Sequence, residues 1–160
     1  MLRAMKLALG LATLVSLSLL ACGGGKSTTP KEPTDHAAGP SGPLAPGAWE
    51  GMDDHARAEF MKNVVTPIMA EKFKAFDAEE FAEVNCKTCH GPGAAEGKFD
   101  MPSGALPELD FQNPDPDDAA ISEFMAKEVK PTMANLLGMP EYTPENPTGF
   151  GCLECHTMAK

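Results

Sequence analysis

The chain has 160 residues, a formal net charge of −10, 6% aromatic residues and 5 cysteines. That length suits one domain or two very small ones and excludes a large two-lobed enzyme. The acidic balance excludes ordinary nucleic-acid binding, because a phosphate backbone demands a basic face. So few aromatics predict a thin core if protein side chains alone build it. An odd cysteine count does not suit a framework made only of disulfides.

At the start of the chain, Arg3 and Lys6 precede an almost wholly apolar run from Leu7 to Leu20, which closes with Ala21-Cys22 and then Gly23-Gly24-Gly25. Residues 1–21 read as a secretory signal, too short and too abruptly ended for a stop-transfer helix. The Leu-Leu-Ala-Cys ending resembles a bacterial lipoprotein signal. The resemblance implies cleavage before Cys22, lipidation of its thiol, and anchoring to the periplasmic side of a bacterial membrane or to the cell surface. An ordinary signal that happens to end beside a cysteine is the alternative. Of the 13 basic residues, Arg3 and Lys6 leave with the signal, and none of the 23 acids does. The mature chain then has 11 basic residues against 23 acidic ones, a charge of −12.

Residues 22–50 read as a lipidated flexible linker. The stretch from Gly23 to Glu50 has 5 prolines and 6 glycines and no apolar periodicity, so it buries too little surface to offset the cost of ordering. His36 lies in this stretch and reads as solvated. Trp49, the single tryptophan, marks the approach to the folded part, residues 51–160.

An internal repeat with an offset of 64 residues organises that part. Asp53 to Ala70 reads DDHARAEFMKNVVTPIMA and Asp117 to Ala134 reads DDAAISEFMAKEVKPTMA, identical at 10 of 18 positions. Each copy has the spacing of an amphipathic helix: Met61, Val65 and Met69 form one stripe, and Met125, Val129 and Met133 repeat it. Asp53 or Asp54, and Asp117 or Asp118, are the expected N-caps. Pro67 and Pro131 are expected to kink or break each helix just before its last methionine. Asp77 to Cys86 reads as a further helix, with Asp77 and Glu80 as its capping pair. Residues 91–116 and 141–151 read as loops, and Gly138 as a helix stop. No strand pattern appears. The expected fold is all-α, with repeat units of about 53–116 and 117–160, each a helix, a connection and a cysteine motif.

Those motifs carry the chemistry. Cys86-Lys87-Thr88-Cys89-His90 and Cys152-Leu153-Glu154-Cys155-His156 are both Cys-x-x-Cys-His. Two thiols three residues apart reach both vinyl groups of one haem, and the histidine that follows falls beneath the iron as proximal ligand. A zinc site from the four thiols competes by count. Thiol redox chemistry competes too, but it asks for a βαβ setting that the sequence lacks. Neither accounts for a histidine after both pairs. The chain thus resembles the multihaem c-type cytochromes. The resemblance implies two covalent haem c groups, held by Cys86, Cys89, Cys152 and Cys155, with His90 and His156 on the irons.

Two irons need two further ligands, and only His36 and His55 remain among the histidines. His55 aligns with Ala119, outside the repeated design. Met69 and Met133 are therefore the candidate distal ligands, lying 17 and 19 residues before their motifs. Met61 and Met125 are rivals about 12 Å away along a helix, and core filling is the ordinary use of such a stripe. A helix-borne methionine ahead of its motif resembles, in repeat plan only, the tetrahaem cytochrome subunit of photosynthetic reaction centres. A class I cytochrome c arrangement, with Met139 as a downstream ligand of the first haem, is the second option; it leaves only Met158 for the second haem.

Six-coordinate His/Met haem has no open position and moves single electrons. The expected function is that of a membrane-anchored electron carrier, not an enzyme. The acidic surface would favour redox partners with a basic docking patch. A haem enzyme or a gas or peroxide sensor, with one haem left five-coordinate, is the alternative.

Overall fold

A computed structural model describes residues 40–160. The signal, Cys22 and His36 lie outside the described residues. Those described are helical, with isolated β-bridges and no strand. None of their helices is long and apolar enough to cross a membrane.

Order begins earlier than the boundary at residue 50 anticipates. Leu44 is 8% exposed in the core, and its amide donates to the Leu136 carbonyl at 2.9 Å. A short helix, α1 (Ala48–Gly51), then presents Trp49 to Phe60, with ring centroids 6.4 Å apart. Arg57 lies over the Trp49 ring and donates to its carbonyl at 3.2 Å. The prolines and glycines here shape a packed connection, since one apolar anchor in an otherwise polar segment suffices to dock it.

The two copies of the 18-residue segment fold alike. The first runs α2 (Asp54–Phe60), a π-helical turn (Met61–Val65) and α3 (Thr66–Phe76). The second runs α5 (Ala119–Phe124), a π turn (Met125–Val129) and α6 (Lys130–Leu136). Asp53 caps α2 as expected, accepting from the Ala56 amide at 2.8 Å. In the second copy the cap moves upstream: Asp115 accepts from the Asp117 amide over a 3₁₀ turn, Pro116–Asp118.

Neither proline breaks its helix. A π turn precedes each, and this wider turn, closed by bonds that reach one residue further back, absorbs the hydrogen bond a proline cannot make. Thr66 donates both its backbone amide and its hydroxyl to the Met61 carbonyl, the latter at 2.9 Å, which reinforces the close of the π turn.

The expected helix over 77–86 does not form. Asp77 accepts from the amides of Glu79 and Glu80, both at 2.9 Å, but the chain leaves as a turn. A helix starts only at α4 (Cys86–His90), where Asn85 and Thr88 form a reciprocal cap: the Asn85 side chain accepts from the Lys87 amide and the Thr88 hydroxyl from the Asn85 amide. That competing cap sets the start at Cys86. Gly138, at φ +66°, ends α6 as expected, with the Met139 amide donating to the Ala134 carbonyl.

The core joins the two copies through aromatic side chains. Phe60 (2% exposed), Val64, Val65, Met69 and Phe73 come from the first, and Phe124, Ala134, Leu136 and Leu137 from the second. Phe73 meets Phe124 edge-on at 5.2 Å, Phe76 stacks on Phe124 at 4.5 Å, and Phe81 closes on Phe73 at 4.7 Å. Lys72 and Glu128 bridge the same seam at 2.7 Å.

Candidate functional site

Two different local structures present the same Cys-x-x-Cys-His pattern. In the first motif Cys86 to His90 form α4, so Cys86 and Cys89 sit three apart on one helical face. In the second, Cys152–Glu154 is a 3₁₀ turn, and the His156 amide reaches back to the Cys152 carbonyl at 2.9 Å. All four thiols are free. Cys86 is exposed, and the other three are half-buried.

The two motifs lie together. Cys89 and Cys155 are near enough that a negative charge on Cys89 raises the Cys155 thiol pKa. Burial is the larger cause, and together with Glu154 and Cys152 these influences push Cys155 up to about 11. Burial, and then Cys86, raises Cys89 as well. Thiols poised for redox exchange have lowered values in electropositive surroundings, and these two show the reverse. Among the described residues no three His, Cys, Asp or Glu side chains converge as a metal cluster. The zinc and thiol-redox readings therefore find no geometric support among the described residues.

The two imidazoles differ in surroundings. His156 Nδ1 lies 2.9 Å from the Pro107 carbonyl oxygen. A carbonyl only accepts, so Nδ1 donates here, and Nε2 is the ring nitrogen left for another partner. His90 Nδ1 is buried with no hydrogen-bond partner, and the Phe99 ring meets the imidazole edge-on at 5.3 Å. Burial pushes the His90 pKa below the usual histidine value, partly offset by the Phe99 backbone. Paired free thiols, each pair followed by an imidazole, and an orphaned ring nitrogen on His90 are a donor set that fits covalent haem.

The methionines take their places in the helical core. Met69 is 3% exposed among Phe60, Val65 and Phe73, and Met61, Met125 and Met133 are half-buried against the same cluster. Cys155 packs against that cluster too, as does Met139. His55 is exposed on α2, which suits a solvated histidine. Two clefts, one around Phe76 and Phe124 and one around Leu44 and Met139, are lined by no motif residue.

Sequence reasoning missed Asn85, Thr88, Ser103 and Pro107. The first two carry a recognisable signal, a polar cap with a hydroxyl three residues on. The last two act across long separations, which no local pattern reveals. Compared with known protein families, with curated proteins and with solved structures, the chain gives no match.

Proposed function

We propose that the chain is a lipid-anchored, periplasm-facing c-type cytochrome that transfers single electrons through two covalently held haems. The carrying observation is the pair of Cys-x-x-Cys-His motifs, each with free thiols followed directly by a histidine. The units 53–116 and 117–160 each supply a helix, a connection and one motif. Each thiol would add its S–H across a vinyl group, giving a thioether with no net redox change. Bound haem c supplies reversible one-electron chemistry at iron. Within the chain, His156 is oriented by the Pro107 carbonyl and His90 by Phe99. Met69 and Met133, carried on α3 and α6, are the proposed distal ligands. Cys22 would hold the protein at the membrane.

The mature protein should give an alkaline pyridine haemochrome at two haems per chain, with both haems retained after denaturation. A chain free of haem would overturn the proposal. A high-spin spectrum that shifts with carbon monoxide would replace the carrier with an enzyme or sensor.

A further inference from the structure

The connection between the motifs supplies Phe99 and Pro107 to the reading above, and it also holds Ser103, which that reading leaves unused: the buried polar side chain among the described residues, at 6% exposure. Its hydrogen bonds run to both motifs. The Ser103 amide donates to the Cys155 carbonyl at 2.9 Å, and its hydroxyl donates to the His90 carbonyl at 3.4 Å. The same hydroxyl accepts from the Ala105 amide at 3.2 Å, so its proton and a lone pair are both used. Gly91, the residue after His90, has φ +76°, and a Cβ there would overlap the Cβ of Ala105. The connection therefore lies on the first motif at a distance only glycine permits. Further on, it grips the second motif. Pro107 accepts from His156, the Leu109 amide donates to the Thr157 carbonyl at 2.9 Å, and the Ala159 amide donates to the Leu109 carbonyl at 3.0 Å.

We propose that Ser103 is a positioning residue shared by both centres, fixing the backbone of His90 against that of Cys155 so that the two proximal imidazoles are held as one rigid pair. This rests on the haem reading. The segment 103–109 belongs by sequence to the first unit and by contact to both. Removing the hydroxyl leaves the His90 carbonyl and the Ala105 amide without this partner in a buried setting, where unpaired groups are costly. Relaxation there moves His90 on one side and, through the Ser103 amide, Cys155 and His156 on the other. A serine that merely closed its own turn would disturb neither imidazole.

The test uses the haem-loaded full chain. Haem content comes from the pyridine haemochrome. The paramagnetically shifted haem-methyl resonances of the oxidised protein and a spectroelectrochemical titration report each centre separately. Ser103→Ala should shift the resonances and midpoint potentials of both centres, and Ser103→Thr, which keeps the hydroxyl, should leave both near wild type. Gly91→Ala should move both from the opposite side of the junction, while Ser122→Ala, exposed on α5, should move neither. If Ser103→Ala shifts one centre only, or none, the shared role is wrong while the cytochrome reading stands. If Ser103→Ala does not accumulate with haem, Gly91→Ala decides, and a shift confined to the first centre overturns the proposal. A wild-type chain without haem overturns both.

Discussion

His90 and His156 close the same Cys-x-x-Cys-His pattern but differ in their second partner, and a second partner tunes how strongly an imidazole donates to a metal. The methionines pose a sharper question at the same scale, because a buried Met69 serves a core equally well with or without a metal. Replacement by leucine separates the two roles. A volume-conserving swap in a core costs under about 1.5 kcal/mol. Met69→Leu should therefore keep its urea midpoint close to wild type while the first haem loses the weak methionine–iron band at the red end of the oxidised spectrum. Met133→Leu should do the same for the second haem. Bands that survive both changes would hand the distal positions to Met61 and Met125, or to Met139. Gly138 gives a stability test independent of haem. A Cβ there would stand 2.6 Å from the carbonyl oxygens of both Leu44 and Ala45, and the left-handed backbone adds about 1–2 kcal/mol for any side chain. Gly138→Ala should lower unfolding free energy by about 2 kcal/mol or more in urea. No loss would mean that the Leu44 segment does not pack against this turn.

At the scale of elements, the prolines are where sequence reasoning and structure part. Helical spacing made both copies legible, because a stripe at i, i+4 and i+8 is a local property. The response to proline was not legible, since a helix can kink, stop or widen, and packing on either side decides. Here Phe60 and Phe73, flanking Pro67, are both buried in one core, and the ladder widens to a π turn without stopping. Asp77 misled for another reason: its cap formed, but the reciprocal Asn85–Thr88 cap just downstream starts a separate helix at Cys86. The motifs were legible in residue type and spacing. Their mutual approach was not, because Ser103 and Pro107 meet partners about fifty residues away. The π turn has a measurable consequence. Proline inside a regular helix costs about 3 kcal/mol relative to alanine, but after a π turn the lost bond has already been conceded. Pro67→Ala should therefore change stability by less than about 1 kcal/mol, the scale of proline's effect on the unfolded chain. A rise in thermal midpoint matching recovery of the full cost would show the proline to be strained.

Across the whole molecule, apolar burial and chemistry are segregated. Every buried apolar side chain among the described residues lies in 44–73 or 124–150, while the stretch between holds the first motif and the single buried serine. Haem bulk would supply what that stretch lacks, so chain made without haem should be cut first by protease within residues 91–116. The same stretch concentrates charge. Glu96, Asp100, Glu108, Asp110, Asp115, Asp117 and Asp118 are exposed there, with Lys98 the one base beyond His90. In a chain whose formal net charge is −10, this clustering places a negative field on the loop that bridges the two motifs. Such a field speeds encounter with a cationic partner and repels an anionic one. Salt decides the range, because the Debye length shrinks from about 30 Å at 0.01 M to about 8 Å at 0.15 M. Stopped-flow electron exchange with a small basic redox protein should slow by about tenfold or more over that interval. Exchange with an acidic redox protein should quicken instead. Replacing Asp115, Asp117 and Asp118 by asparagine should flatten the first dependence without moving either midpoint potential. Equal salt dependence for both partners would place docking elsewhere on the surface.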